Sequence, residues 1–147
     1  LSNYNGSVNS DGNCSDKNGF NFGISDQGQL QITYATNGNA YIGRRTEPNS
    51  LGTEWTHVAG VWNGTKISSG FKLYINGEQE DTIDYELGSL CGDYLISALP
   101  FNIGIGNCQA GLCQPYDGSL DDVRIYNKVF ENTEIKKLYE IEKEGME

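Results

Sequence analysis

The sequence predicts an all-β domain closed by a short C-terminal helix. Three observations carry this expectation. Short runs of alternating apolar and polar residues recur along the chain, the period-2 pattern of strands with one buried face. Glycine is abundant and proline rare, 19 against 3 in 147 residues, and many glycines fall between the apolar runs, where turns are needed. The stretch from Trp55 to Ile83 reads as a central hairpin around which the other strands are laid.

Taken in order, Leu1 to Asn18 is rich in Asn, Ser, Gly and Asp without an apolar period and reads as loop, pinned by Cys14. Phe20, Phe22 and Ile24 alternate with Asn21, Gly23 and Ser25 as a half-buried strand, and Asp26-Gln-Gly28 is a turn. Leu30, Ile32 and Tyr34 then alternate with Gln29, Gln31 and Thr33, the clearest strand pattern in the chain. Asn37-Gly38 supplies a hairpin turn into Ala40–Gly43, and Arg44 to Glu54 reads as loop. In Trp55–Trp62, Val58 and Trp62 share one parity and Ala59 and Val61 the other. A strand apolar on both faces is expected between two covered layers and away from a sheet edge.

Phe71, Leu73 and Ile75 share a parity while Lys72 and Asn76 take the other, so this strand is expected to keep one wet face. Asn76-Gly77 suits a type I′ turn, which requires positive φ at both central positions. Thr82 to Gly88 is an extended tail, and Ser89 to Leu99 is a polar excursion holding Cys91. Phe101, Ile103 and Ile105 alternate with Asn102, Gly104 and Gly106 as a further strand, followed by a loop from Asn107 to Asp117. Gly118 to Tyr126 is the last strand. A helix closes the chain over about Asn132–Glu142, with Ile135, Leu138 and Tyr139 at helical spacing and Asn132 or Thr133 as its cap.

The length suits one domain, 1–147, with neither repeats nor an internal boundary. Twenty acidic residues against ten basic ones give a net charge of −10. That argues against nucleic acid or an anionic membrane as partner, because both require a basic surface. No apolar run approaches the ~20 residues of a membrane span, so membrane insertion is not expected. The chain starts at Leu1 without a signal-peptide pattern, which reads as a mature product or one domain of a larger multidomain chain. Four cysteines in polar, loop-like surroundings, together with glycosylation patterns at Asn5, Asn13 and Asn63, favour an oxidising setting: secreted, extracellular or at the cell surface.

An ordered set of motifs then carries a resemblance. Trp55-Thr-His-Val-Ala-Gly-Val-Trp62 is followed by Lys72-Leu-Tyr-Ile-Asn-Gly-Glu78, Asn102-Ile-Gly-Ile-Gly106, Gly118-Ser-Leu-Asp-Asp-Val-Arg-Ile-Tyr126 and Thr133-Glu-Ile-Lys-Lys-Leu-Tyr139. In this order they resemble the laminin G-like jelly-roll domains of the concanavalin A-like lectin/glucanase group, over about Phe20 to Tyr139. The resemblance implies a jelly-roll sandwich of two curved antiparallel sheets with the helix packed at one end. It implies a non-catalytic extracellular module that binds a glycan, an extracellular protein or calcium. Members of that group start with one or two strands ahead of the Phe20 region. Leu1 to Asn18 does not read as such strands, so the domain is expected to lack them.

The enzymes of that group carry paired acids in a Glu-x-Asp-x-x-Glu arrangement, one to donate a proton and one to attack the sugar. This sequence lacks it, and no catalysis is expected. Glu78, Glu80 and Asp81 follow a tight turn and are expected to be solvated. His57, the single histidine, has no nucleophile partner in the pattern and reads as structural. Asp121 shares a parity with Val123 and Ile125 and is expected to point inward, where a carboxylate must be hydrogen-bonded, paired or on a metal. It is the leading calcium candidate, with Asp26 and Asp117 behind it; Asp122 and Arg124 can pair on the other face. For glycan binding, the expected residues are Asp93, Tyr94, Asn107, Gln109, Tyr116 and Asp117, because loops with aromatics and amides supply both a flat apolar face and hydroxyl partners. Trp55 and Trp62 read as core. Cys108 with Cys113 and Cys14 with Cys91 is the expected disulfide pairing, among the three connectivities that four cysteines allow.

Overall fold

A computed structural model of the chain describes residues 19–36, 40–88, 101–108, 111–113 and 115–144. Its elements in chain order are β1 (Gly19–Ile24), β2 (Leu30–Thr36), β3 (Ala40–Arg45), β4 (Val58–Trp62), β5 (Phe71–Ile75), β6 (Glu78–Gln79), β7 (Ile83–Asp84), β8 (Gly106–Cys108), β9 (Gly111–Cys113) and α1 (Asn132–Lys143). Two antiparallel sheets form the sandwich, one ordered β1-β2-β3-β7 and the other β4-β5-β6, with β8 and β9 as a separate hairpin. The all-β sandwich with a short C-terminal helix is thus the architecture observed.

The main core lies between the sheets. Leu30, Ile32, Tyr34 and Ile42 from the first sheet meet Phe71 and Leu73 from the second, and Phe20, Phe22, Val58 and Ile75 complete it. The alternation read from β1, β2 and β5 is the direct cause, since every second side chain faces the opposite sheet. Trp62 stacks between Tyr34 (centroids 5.0 Å) and Phe71 (5.3 Å, interplanar 4°). Its indole N–H donates to the Thr65 carbonyl at 3.0 Å, so the ring enters the core without orphaning its donor.

A second, smaller core lies on the outer face of the β4-β5-β6 sheet. Helix α1 covers that face through Ile135 and Leu138, packed with Val61, Tyr74, Ala59 and Phe130. Both faces of β4 are therefore covered, as its apolar parities require. Its position in the sheet differs from expectation: among the described residues β4 pairs only with β5 and is terminal in the sheet. Apolarity on both faces reports layers above and below a strand, not neighbours beside it. The helix also lies against this outer face, where the resemblance implied one end of the sandwich. For the same reason the outer face of β5 is wet only in part: Lys72 is half-buried and Asn76 beyond it exposed, but Tyr74 is fully buried under α1, and its hydroxyl donates to Asn132 Oδ1 at 2.7 Å. Asn132 is thereby engaged with the sheet, and the helix cap falls one residue earlier, at Glu131, whose backbone N–H donates to the Glu134 carboxylate at 2.9 Å.

Other boundaries shift for local reasons. The turn at Asn76-Gly77 has φ of 50° and 80°, as a type I′ turn demands. Trp55 precedes the β4 ladder and is 64% exposed, not core. Ile103 is exposed and Gly104 has φ of 77°, which breaks the extended run expected from Phe101; Asn102 makes an isolated bridge, the chain bends, and a ladder begins at Gly106 with the β8-β9 hairpin. Gly118 to Tyr126 forms no ladder, with Leu120, Val123 and Ile125 exposed; Asp122 takes φ of 50°, and its N–H is held by the Asp121 carboxylate at 2.8 Å. Asp81 is buried, not solvated, because it pairs with Arg44 (3.2 Å) and its Oδ1 accepts the Leu73 N–H (3.3 Å). The Asn37-Gly38 turn and Leu1 to Asn18 lie outside the described residues.

Candidate functional site

The outward face of the four-stranded sheet follows from register. Phe20, Phe22, Ile32, Tyr34 and Ile42 face the core, so the alternate residues of the same strands face outward. Pairing aligns Gln31 with Gly23 and Arg45, Thr33 with Asn21 and Gly43, and Ala35 with Gly19 and Tyr41. The row continues across β7, where Ile83 pairs with Arg45, the Tyr85 N–H donates to the Gly43 carbonyl at 3.0 Å, and Tyr41 bridges Leu87.

On this face four side chains form one cluster. The rings of Tyr41 and Tyr85 are 4.6 Å apart, tilted by 44°. The Arg45 guanidinium carbon lies 3.3 Å from the centre of the Tyr85 ring, a cation–π contact. Arg45 Nε donates to Gln31 Oε1 at 3.0 Å, which fixes the plane of the guanidinium. Gly43, between Tyr41 and Arg45, brings no side chain; a Cβ there would stand 1.9 Å from the Ile32 carbonyl oxygen and 2.8 Å from Thr33 Cγ2. All four side chains are half-buried. Hydrogen bonding with Tyr85, and then burial, raises the Tyr41 phenol above its ordinary value, so it is neutral at physiological pH. The cluster thus offers an aromatic surface beside amide and guanidinium groups, held on paired strands and not on a loop tip.

The residues expected from the sequence lie elsewhere. Asp93, Tyr94, Gln109, Cys14 and Cys91 fall outside the described residues, as does the loop joining β8 to β9. Asn107 sits in β8, opposite Leu112. Tyr116 is exposed; its N–H donates to the Gly104 carbonyl at 2.8 Å, and its ring lies against Gly118. Asp117 is exposed beside it. The hairpin register sets Cys113 opposite Gly106 and Cys108 opposite Gly111.

Asp121 is exposed, not inward, and Asp26 is exposed in the β1-β2 turn. Among the described residues no three His, Cys, Asp or Glu side chains gather in one group. Asp122 pairs with Arg124 as expected (Nε to Oδ1, 3.0 Å). His57 is structural: its Nε2 lies 3.3 Å from Glu142 Oε2, and its ring is 5.7 Å from that of Tyr139. No described helix is long and apolar enough to cross a membrane.

Comparison with known proteins agrees with this architecture. A laminin G-type family model, described as the concanavalin A-like lectin/glucanases superfamily, matches residues 2–136. The chain belongs to that superfamily. No curated protein and no solved structure matches it. The concanavalin A-like match begins at residue 2, so it takes in the polar N-terminal stretch that reads as loop. The superfamily's description embraces both lectins and glucanases, and this member lacks the Glu-x-Asp-x-x-Glu acids of the enzymatic pattern. The Tyr41–Tyr85–Arg45–Gln31 cluster is absent from the residues expected to bind. A signal for it is present in the sequence: Tyr41, Gly43 and Arg45 alternate with Ala40 and Ile42, extending the strand beyond Gly43 into what reads as loop.

Proposed function

We propose that this chain is a non-catalytic carbohydrate-binding module of an extracellular, multidomain protein, and that it binds glycans on the outer face of the β1-β2-β3-β7 sheet. The observation that carries this reading is the Tyr41–Tyr85 pair flanked by Arg45 and Gln31. A sugar ring has an apolar C–H face and a rim of hydroxyls. Its recognition calls for an aromatic surface next to a few fixed polar groups. The outer face has both, and Thr33 and Asn21 extend the polar rows beside the aromatics. Asn63, exposed within Asn63-Gly-Thr65, supports the extracellular part of the reading.

The test is a glycan array probed with the wild-type domain, followed by Tyr85→Ala. We expect binding to at least one glycan class, weakened about 3- to 10-fold by the substitution, the equivalent of about 0.5–1.5 kcal/mol for an aromatic contact. A folded domain that binds no glycan overturns the proposal. That result would favour a protein–protein adhesion module, for which Leu120, Val123, Ile125 and Tyr126, exposed in one unladdered stretch, form the candidate contact.

A further inference from the structure

We infer that the glycan bound on this face is acidic, and that Arg45 reads its carboxylate. The inference rests on the proposed carbohydrate-binding role and narrows its ligand class.

The first support is charge distribution. The chain carries twenty acidic residues and ten basic ones, yet the outward positions of β1, β2 and β3 include no carboxylate. Their one charged member is Arg45. The acids of β7 and the residues after it, Asp84 and Glu86, alternate with Ile83 and Tyr85 and take the opposite parity, while Glu47 accepts from the Thr82 hydroxyl at 2.9 Å. Asp84 pairs with Arg44 at 2.6 Å, and Glu86 accepts from Ser68 at 2.7 Å. In a protein whose overall field repels anions, this face is therefore locally favourable to one.

The second support is the state of the guanidinium. Arginine has five N–H donors in a planar fork. Gln31 takes the one on Nε, and the four on Nη1 and Nη2 meet no acceptor among the described residues. A fork that keeps both terminal nitrogens open matches the two oxygens of a carboxylate. Stacking on Tyr85 and the bond to Gln31 hold the group in place before any ligand arrives, so little side-chain freedom is lost on binding. The neutral Tyr41 phenol beside it brings no competing negative charge. A uronic or sialic acid residue combines the required parts, a carboxylate for Arg45 and a ring for the tyrosines.

The experiment measures binding of oligogalacturonate, oligoglucuronate, oligomannuronate and sialyllactose, each alongside its carboxyl-reduced form, to the wild type, Arg45→Gln and Arg45→Lys, with folding of each variant checked by circular dichroism. We expect at least one acid form to bind 10-fold or more tighter than its reduced partner. That preference should disappear in Arg45→Gln and be partly kept in Arg45→Lys, which retains the charge without the fork. Equal binding of acid and reduced forms by the wild type would overturn the carboxylate assignment and leave glycan binding standing. An acid preference unchanged in both folded variants would remove Arg45 from the role. Absence of binding to every member of the panel, together with a blank array, would overturn the glycan reading and this inference with it.

Discussion

His57 shows how a single side chain can be structural and still leave a measurable trace. Its backbone N–H donates to Asn76 Oδ1 at 3.1 Å, and its carbonyl accepts from the Asn76 N–H at 2.9 Å, so the residue ties the start of β4 to the hairpin turn. Its imidazole sits between the sheet and α1, where Nδ1 has no hydrogen-bond partner among the described residues. Burial lowers its pKa; the Glu142 carboxylate opposes this, and the Arg124 guanidinium adds to it. A folded-state value below the unfolded one, near 6.5, means that the folded state resists protonation. The stabilising contribution is therefore complete above about pH 6.5 and is lost as pH falls through the folded pKa. We expect the melting temperature of the wild type to exceed that of His57→Asn by a margin that narrows from pH 7.5 to pH 5. A margin constant across that range would show that the neutral imidazole is not what the site selects.

At the scale of elements, the docking of α1 depends on the turn beneath it. Gly77 has φ of 80°, and a Cβ there would stand 3.0 Å from the Tyr139 ring and 3.3 Å from Lys136 Cα. Gly64 has φ of 84° with nothing within 4 Å of the same position. Alanine at either site meets the left-handed penalty of about 1–2 kcal/mol, but only Gly77→Ala also pushes on the helix. Urea denaturation should find Gly77→Ala the more destabilising by about 1 kcal/mol or more, and equal losses would remove the helix contact from the account. The same pair of elements shows what the sequence made legible. Period-2 alternation in β1, β2 and β5 marked the inter-sheet core, because each of those strands has one face against the opposite sheet. Tyr74 was harder to place, since its burial comes from a helix some sixty positions away, joined to it through Asn132. Gly118 to Tyr126 carried a strand pattern without a strand, because a ladder requires a partner and alternation cannot supply one. For the candidate site, parity put Tyr41 and Arg45 on one face, but the arrival of Tyr85 beside them depends on β7 crossing back to β3, which no local pattern encodes.

At the scale of the whole molecule, the apolar core does not hold the two sheets together alone. Arg44 on β3 reaches across to Asp81, which follows β6 and also accepts the Leu73 N–H of β5, so one carboxylate is bonded to both layers. Its side chain is 6% exposed, whereas that of Asp84, the other partner of Arg44, is 62% exposed. Asp84 lies closer to the guanidinium (2.6 Å) than Asp81 does (3.2 Å), so it is by burial and not by distance that Asp81 is the stronger partner. Exposed pairs contribute about 0–1 kcal/mol, while removing one partner of a buried pair costs about 3–5 kcal/mol because the other charge is left uncompensated. Arg44 is 18% exposed and keeps Asp84 when Asp81 is removed, so Asp81→Ala falls between these limits, at about 1–3 kcal/mol, with Asp84→Ala below about 1 kcal/mol. The exposed pair should also weaken in molar salt, where screening reaches it, while the buried one changes little. Urea titrations of both variants at low and high salt decide the matter. If Asp81→Ala and Asp84→Ala cost the same and respond alike to salt, the inter-sheet clamp is not a feature of this fold, and the layers are held by their apolar faces.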